Sequence, residues 1–389
     1  MNNINVEILS SNNSGLIFEE TKYKSIDELI KENFIKVEVS MLFHNSVIFN
    51  LDHKMFSKLK NINVLKIPSF YNGKKVTSLI IGNTDIKNFI FVNILYVPRF
   101  LVEIEGIMAT KKYIVEKKNK HFFDINGVLY SYDIKKKFLF FCFNKSYALV
   151  NYPKDLVHNK YFVHPRTTLL VAFAFFKSAV KEVVLPSKLL TIYDQAFYDC
   201  KFLESLTIPN SVYFLEARFI FKCPIKSIYI PKNVKLLTGD ILLSSCFLKE
   251  IKVDSKNKDF CDVDGVLYSK DKKDLIKYPE GRLTPSLVIP DLVESIDLVQ
   301  IYNKDLKNLY IPKNVKIIDL TLLNSWACTK AITTTLFDLN YFFEDNKENI
   351  LSHITSLNES KEKKDLFINK VLNNPSTKYN YKFSHIKLE

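Results

Sequence analysis

The sequence predicts a strand-rich α/β repeat solenoid, interrupted by two β-hairpins and closed by end caps that are partly helical. Three observations predict it. Prolines that follow an apolar residue recur at a near-constant step: 21 residues from Pro165 to Pro186, then 23 to Pro209, 22 to Pro231, and 22 from Pro290 to Pro312. A short alternating apolar segment precedes most of these prolines. A 19-residue segment occurs twice, at 118–136 and 256–274, without a gap at an offset of 138. Fixed periods of this length are the mark of stacked repeats, in which one unit cannot bury its own apolar face alone.

The repeat unit is legible in two copies, "LPSKLLTIYDQAFYDCKFLESLTIP" from Leu185 and "IPNSVYFLEARFIFKCPIKSIYIP" from Ile208. Each reads Ile/Leu-Pro, then an apolar residue three on, an aromatic wedge, a cysteine and a closing Leu/Ile-x-Ile-Pro. The closing segment alternates, so it reads as a strand with Leu206 and Ile208 on one face. Proline ends it by removing a ladder donor. Cys200, Cys223 and Cys246 lie 23 residues apart each time. None of the six cysteines forms C-x-x-C, and no histidine pair has zinc spacing. The shared slot of Cys200 and Cys223 reads as buried core.

This unit resembles the leucine-rich repeat of BspA-like surface proteins, with its I-P-x-x-V-x-x-I-x-x-x-A-F-x-x-C-x-x-L pattern. "IPSFYNGKKVTSL" at Ile67–Leu79 resembles that family's usual opening repeat. The resemblance spans roughly residues 60–325, clear in 180–325 and degenerate in 80–170, where His164 replaces the apolar residue before proline. It implies a leucine-rich-repeat solenoid, a cell-surface or secreted location, and adhesion or contact with a host or partner protein.

The duplicated segment contains "FCDVDGVLYS", Phe260 to Ser269, which looks like the Asp-x-Asp signature of haloacid-dehalogenase phosphatases. The first copy has Asp124 for Asp262 but Asn126 for Asp264, so the position proposed for acid–base work is not an acid there. A calcium loop fails too: with Gly265 at loop position 6, position 1 is Phe260 and position 12 is Asp271 rather than Glu. Val-Leu-Tyr-Ser as a strand, Asp-Lys-Lys as a turn and Leu275–Pro279 as a return strand give a β-hairpin, with Gly127 and Gly265 for a bend or close packing. The same segment interrupts the repeats of the BspA-like family, which implies a structural insertion.

Residues 1–58 read as an α/β N-terminal cap, with a capping box at Ser25–Glu28 and a helix over 26–34, followed by strands. Residues 59–330 read as the solenoid, with hairpin insertions near 118–145 and 256–280. Residues 331–389 read as a helical C-terminal cap, because 331–374 has helical spacing and mixed charge.

Composition limits function. The 8 glycines never lie closer than nine residues, which excludes both G-x-G-x-x-G and Walker A loops. There is no G-x-S-x-G and no H-E-x-x-H, so no catalytic residue, cofactor or metal site is expected. The first twenty residues lack a signal-peptide pattern, and the longest apolar run, Leu169–Phe176, is far short of a membrane span. As written the chain reads as cytoplasmic, in tension with the surface location that the resemblance implies.

Two candidate surfaces remain. The middle residue of each strand before proline points outward in a solenoid, which gives a ladder including Lys66, Tyr96, Val163, Thr207, Tyr229, Lys252, Val288 and Tyr310. Its tyrosines suit a protein partner. The net charge is +13, and residues 111–145 alone carry +6. Lys111, Lys112, Lys117, Lys118, Lys120, Lys135, Lys136 and Lys137 form a basic patch that suits nucleic acid or an anionic surface. The sequence therefore predicts a non-enzymatic protein-binding module. An intracellular scaffold or assembly subunit, and a lysine-driven binder of nucleic acid or anionic lipid, are the alternatives.

Overall fold

The computed structural model describes residues 6–9, 21–24, 26–40, 45–56, 62–81, 89–132, 146–216, 218–237, 247–315, 317–319 and 340–343. The chain divides into two compact units, Met1–Val180 and Lys181–Glu389. Both are rich in short strands, and the described helices are few and short.

In the first unit, strands Ile62–Lys66, Ile90–Val97 and Ile107–Val115 run parallel, as a stack of repeats requires, and Val6–Leu9 and Thr21–Lys24 extend that sheet. A second sheet joins Ile35–Val39 and Ser46–Leu51 to Lys74–Ile81. The predicted N-terminal helix forms over Ile26–Lys31 and is shorter than the expected 26–34. It stops because Asn33 takes a left-handed conformation (φ 62°). The Phe34 N–H then reaches back to the Leu29 carbonyl and the Asn33 N–H to that of Ile30, a Schellman closure.

In the second unit, parallel pairs stack in the order expected of repeats: Ser227–Ile230 with Glu250–Val253, and Ser286–Val288 with Asn308–Ile311. In this unit each Ile-Pro or Leu-Pro step turns the chain in one way. The proline carbonyl accepts from the N–H three residues on, at Pro186–Leu189, Pro209–Val212, Pro231–Val234, Pro290–Val293 and Pro312–Val315. The residue so delivered is buried in each case, which is why the pattern demands Val or Leu there. Cys200 and Cys223 are buried; the Cys223 thiol donates to the Phe197 carbonyl at 3.1 Å. That contact lies one repeat back and belongs to the core.

The C-terminal expectation needs correction where it can be compared. Asn340–Phe343 is not helical but a strand, parallel to Asn308–Ile311. Tyr-Phe-Phe is β-prone, and an exposed ladder edge offers hydrogen bonds that a helical turn would forgo. The rest of the predicted helical cap lies outside the described residues.

Both predicted hairpins form, each with one strand more than expected. Phe260–Val263 pairs with Val266–Ser269, which pairs with Asp274–Lys277; Phe122–Ile125, Val128–Tyr132 and Tyr147–Asn151 repeat the arrangement. The first strand of each is hard to read from sequence because the turn that pairs it falls inside the Asp-x-Asp/Asn segment. Asn126-Gly127 has φ 51° and 83°, and Asp264-Gly265 has φ 50° and 73°. Two successive positive φ values make a type I′ turn, for which Asn-Gly and Asp-Gly are the preferred pairs. Asn and Asp exchange at this position because both tolerate the left-handed region.

Candidate partner-binding surface

The outward ladder exists in part. In the second unit Tyr229 stands opposite Lys252, and Val288 opposite Tyr310. Tyr229 is 48% exposed, while Ile228 and Ile230 beside it are buried. Its hydroxyl bonds to Asp254, which raises the tyrosine pKa. Lys252 Nζ lies 3.1 Å from Glu250 Oε1. Tyr310 is half-buried, and Thr207 is exposed on a segment outside any strand. In the first unit Lys66 stands opposite Tyr96, with its ammonium 5.5 Å from the ring centroid. That cation–π contact orders both side chains.

Val163 does not join the ladder. It is buried, and the strand is Lys160–Phe162 with Phe162 outward. His164, not Pro165, takes the turn position here: its carbonyl accepts the Thr167 N–H at 2.9 Å as that of Pro186 accepts from Leu189, so Val163 falls in the buried slot that Leu185 fills one repeat on. His164 instead packs on Tyr147 and Tyr130, and burial lowers its pKa ahead of the repulsion from Arg166.

A second set was not foreseen. Phe202 (54% exposed), Phe247 (49%) and Leu283 (70%) are large apolar side chains in contact with solvent. Each lies five residues ahead of a ladder position, Thr207, Lys252 and Val288. Phe202 and Phe247 directly precede the buried Leu203 and Leu248, an apolar pair that period-two reading of the strand alone cannot register.

The basic patch is exposed where it is described. Lys111 and Lys112 lie on the strand Ile107–Val115, and Lys117, Lys118 and Lys120 on the turn after it. Lys135, Lys136 and Lys137 lie outside the described residues.

The Asp-x-Asp residues are occupied by structural work. Asp262 Oδ1 accepts the Val253 N–H at 2.8 Å, and Asp124 Oδ1 accepts the equivalent Val115 N–H at 2.9 Å. Asp264 forms an ion pair with Arg282, whose guanidinium also donates to the Asp264 carbonyl. The glycine carbonyls of both turns accept from the preceding strand, at Ile251 and Tyr113. Among the described residues no group of three or more His, Cys, Asp or Glu is placed to hold a metal ion.

A buried asparagine accompanies each hairpin, and reading the motif from Asp onward missed it. Asn257 donates to the Pro231 and Val234 carbonyls and accepts from the Asp259 and Phe260 N–H groups. Asn119 makes the same four bonds to Pro98, Leu101, His121 and Phe122. Asn303 makes them a third time. Each clamps one repeat to the previous one through four backbone groups. The Lys-Asn-Lys shared by both duplicated segments was the available signal.

A sequence-family model for the BspA-type leucine-rich repeat region matches residues 168–262 in six copies. That stretch carries BspA-type leucine-rich repeats. Several solved structures are similar at low identity. A leucine-rich cell surface protein of Faecalibacterium prausnitzii is 18% identical with a TM-score of 0.42, over 73% of this chain and 70% of the other. The pneumococcal vaccine antigen PcpA is 21% identical with a TM-score of 0.37, over 75% and 66%. A leucine-rich repeat protein of Eubacterium ventriosum is 17% identical with a TM-score of 0.41, over 80% and 71%. No curated protein matches the chain significantly. Among the described residues no helix is long and apolar enough to cross a membrane.

Proposed function

We propose that this BspA-type repeat chain is a non-enzymatic protein-binding module, and that its second unit contacts the partner through the ladder and the exposed apolar residues Phe202, Phe247 and Leu283. The observation that carries the reading is this exposed aromatic and apolar set. Tyr229 and Tyr310 supply rigid aromatic contact area, and Phe202, Phe247 and Leu283 supply apolar surface that folding leaves wet. Aromatic anchors within a polar surround are the usual energetic centre of a protein interface. Adhesion, or contact with a host protein at the cell surface, is the role the repeat type implies.

The five exposed lysines at 111, 112, 117, 118 and 120 favour a second reading, electrostatic capture of nucleic acid or an anionic surface. Salt separates the two. Counterion release makes phosphate-driven affinity fall steeply with salt, whereas an aromatic interface responds weakly. Substituting Tyr229 and Phe247 by alanine is expected to abolish partner binding with little change in salt response. Binding that survives this but is lost on replacing the five lysines supports the second reading.

A further inference from the structure

In the first unit a cavity of about 400 Å³ opens beside the helix His53–Phe56, over the parallel strands that begin at Ile62, Ile90 and Ile107. Its floor is a row of neutral polar groups running across those strands. Thr110 Oγ1 donates to Asn93 Oδ1, and Asn93 Nδ2 donates to Asn63 Oδ1, both at 3.1 Å. These bonds fix the Asn93 amide in place, while one of its N–H groups and one carbonyl lone pair remain beyond the row.

At the rim, Lys154 and Asp155 are linked at 3.1 Å, and the Asp155 N–H donates to the Thr110 carbonyl at 2.7 Å, which ties this rim to the floor. Phe89 and Phe91 form an apolar wall. Phe89 stands edge-on to Phe173 at 5.4 Å and Phe91 stacks on Phe176 at 5.9 Å, so both rings are held from behind. His53 adds an imidazole that can donate or accept.

The chemistry of this lining selects a class of ligand. The lysine and the aspartate cancel in charge and already neutralise each other, so a phosphate or a cation meets no net attraction. A purely apolar ligand would strand the Asn93 amide and the ion pair away from water. A pyranose ring satisfies both demands: its C–H face lies against phenyl rings, and adjacent hydroxyls donate to carboxylate and amide oxygens while accepting from ammonium and N–H. The volume falls within the range of small-ligand sites, roughly 300–1,000 Å³, and suits a short saccharide. We propose that this cavity binds a neutral saccharide, with Asn93, Lys154 and Asp155 holding the hydroxyls and Phe89 and Phe91 stacking on the ring.

The site uses none of the second-unit residues proposed to bind protein, so its test is independent of the proposed function. Saturation-transfer NMR on the full chain would use the methyl glycosides of glucose, galactose, mannose and N-acetylglucosamine as probes. Transfer to the ring protons of at least one glycoside is expected. Lys154→Ala and Asp155→Ala are each expected to weaken that glycoside about tenfold, the loss of one or two charge-assisted hydrogen bonds. Both side chains are partly exposed, so these variants retain the core. Tyr229→Ala is expected to leave sugar binding unchanged. The proposal is overturned if no glycoside shows transfer, or if transfer persists undiminished in both rim variants.

Discussion

Replacing Asn257 by alanine tests how the repeats are held together. Asn257 is 1% exposed and satisfies four backbone groups at 2.8–3.1 Å. Two of them, the Pro231 and Val234 carbonyls, belong to buried residues of the previous repeat. The other two, the Asp259 and Phe260 N–H groups, belong to more exposed residues, where water can replace the side chain. Each buried group left unpaired costs about 1–3 kcal/mol. Counting the carbonyls in full and the N–H groups lightly gives a loss of about 3–5 kcal/mol, a large share of the ~5–15 kcal/mol typical of a folded domain. Urea unfolding followed by circular dichroism measures it. Asn257→Asp adds a pH signature. It keeps the acceptor but aims a carboxylate oxygen at two carbonyls, which raises the folded-state pKa above the unfolded value of about 3.9. The folded state then binds more protons, so this variant is most stable at low pH and weakens as pH rises through the raised pKa. A loss under about 1 kcal/mol for Asn257→Ala would refute the clamp, because even one stranded carbonyl costs that much.

Four further outcomes are expected. Gly127→Ala places a Cβ 2.7 Å from Lys112 Cβ at φ 83°. It should lower stability by about 2 kcal/mol or more, seen as a lower Tm, whereas Asn126→Asp should be nearly silent. Asp262→Asn keeps an acceptor for the Val253 N–H, so stability should change by less than about 1 kcal/mol. Aryl-phosphate turnover should be the same in both proteins; turnover abolished by this change would restore the phosphatase reading. Lys277 and Glu280 form a buried pair at 3.5 Å. Lys277→Met alone should cost about 3–5 kcal/mol, and adding Glu280→Leu should recover most of it in urea unfolding. His164 has its pKa lowered from 6.5 by burial. Its contribution should be full above about pH 6.5 and decline as pH falls toward the lowered folded value. The wild-type fall in Tm between neutral and acid pH should therefore shrink in His164→Gln.

The repeat was legible because its demands are local. The Ile-Pro step, the Val or Leu three residues on and the alternating strand each follow from one turn and one buried face, and all recur. The hairpins were legible from β-propensity, but their first strands were not, since a type I′ turn is announced by two residues that also resemble a catalytic pair. Counting back from Pro165 misplaces Val163 because His164, not the proline, makes the turn of this repeat. Spacing alone suggests a helix at Tyr341–Phe343 because it cannot register Asn308–Ile311 as a pairing partner. Of the candidate surface, the Tyr229–Lys252 pairing follows from the strand pattern, whereas the exposure of Phe202, Phe247 and Leu283 does not. The cavity beside His53 joins residues more than a hundred positions apart, and no local pattern marks it.

The central claim is that an aromatic and apolar face of the second unit recognises a protein. Comparative capture tests it most directly: immobilised wild type and a Tyr229→Ala/Phe247→Ala variant, exposed to the same extract and washed at rising salt. A protein retained by the wild type through high salt and lost from the variant is expected. Retention equal in both, or retention that salt alone removes, would contradict it.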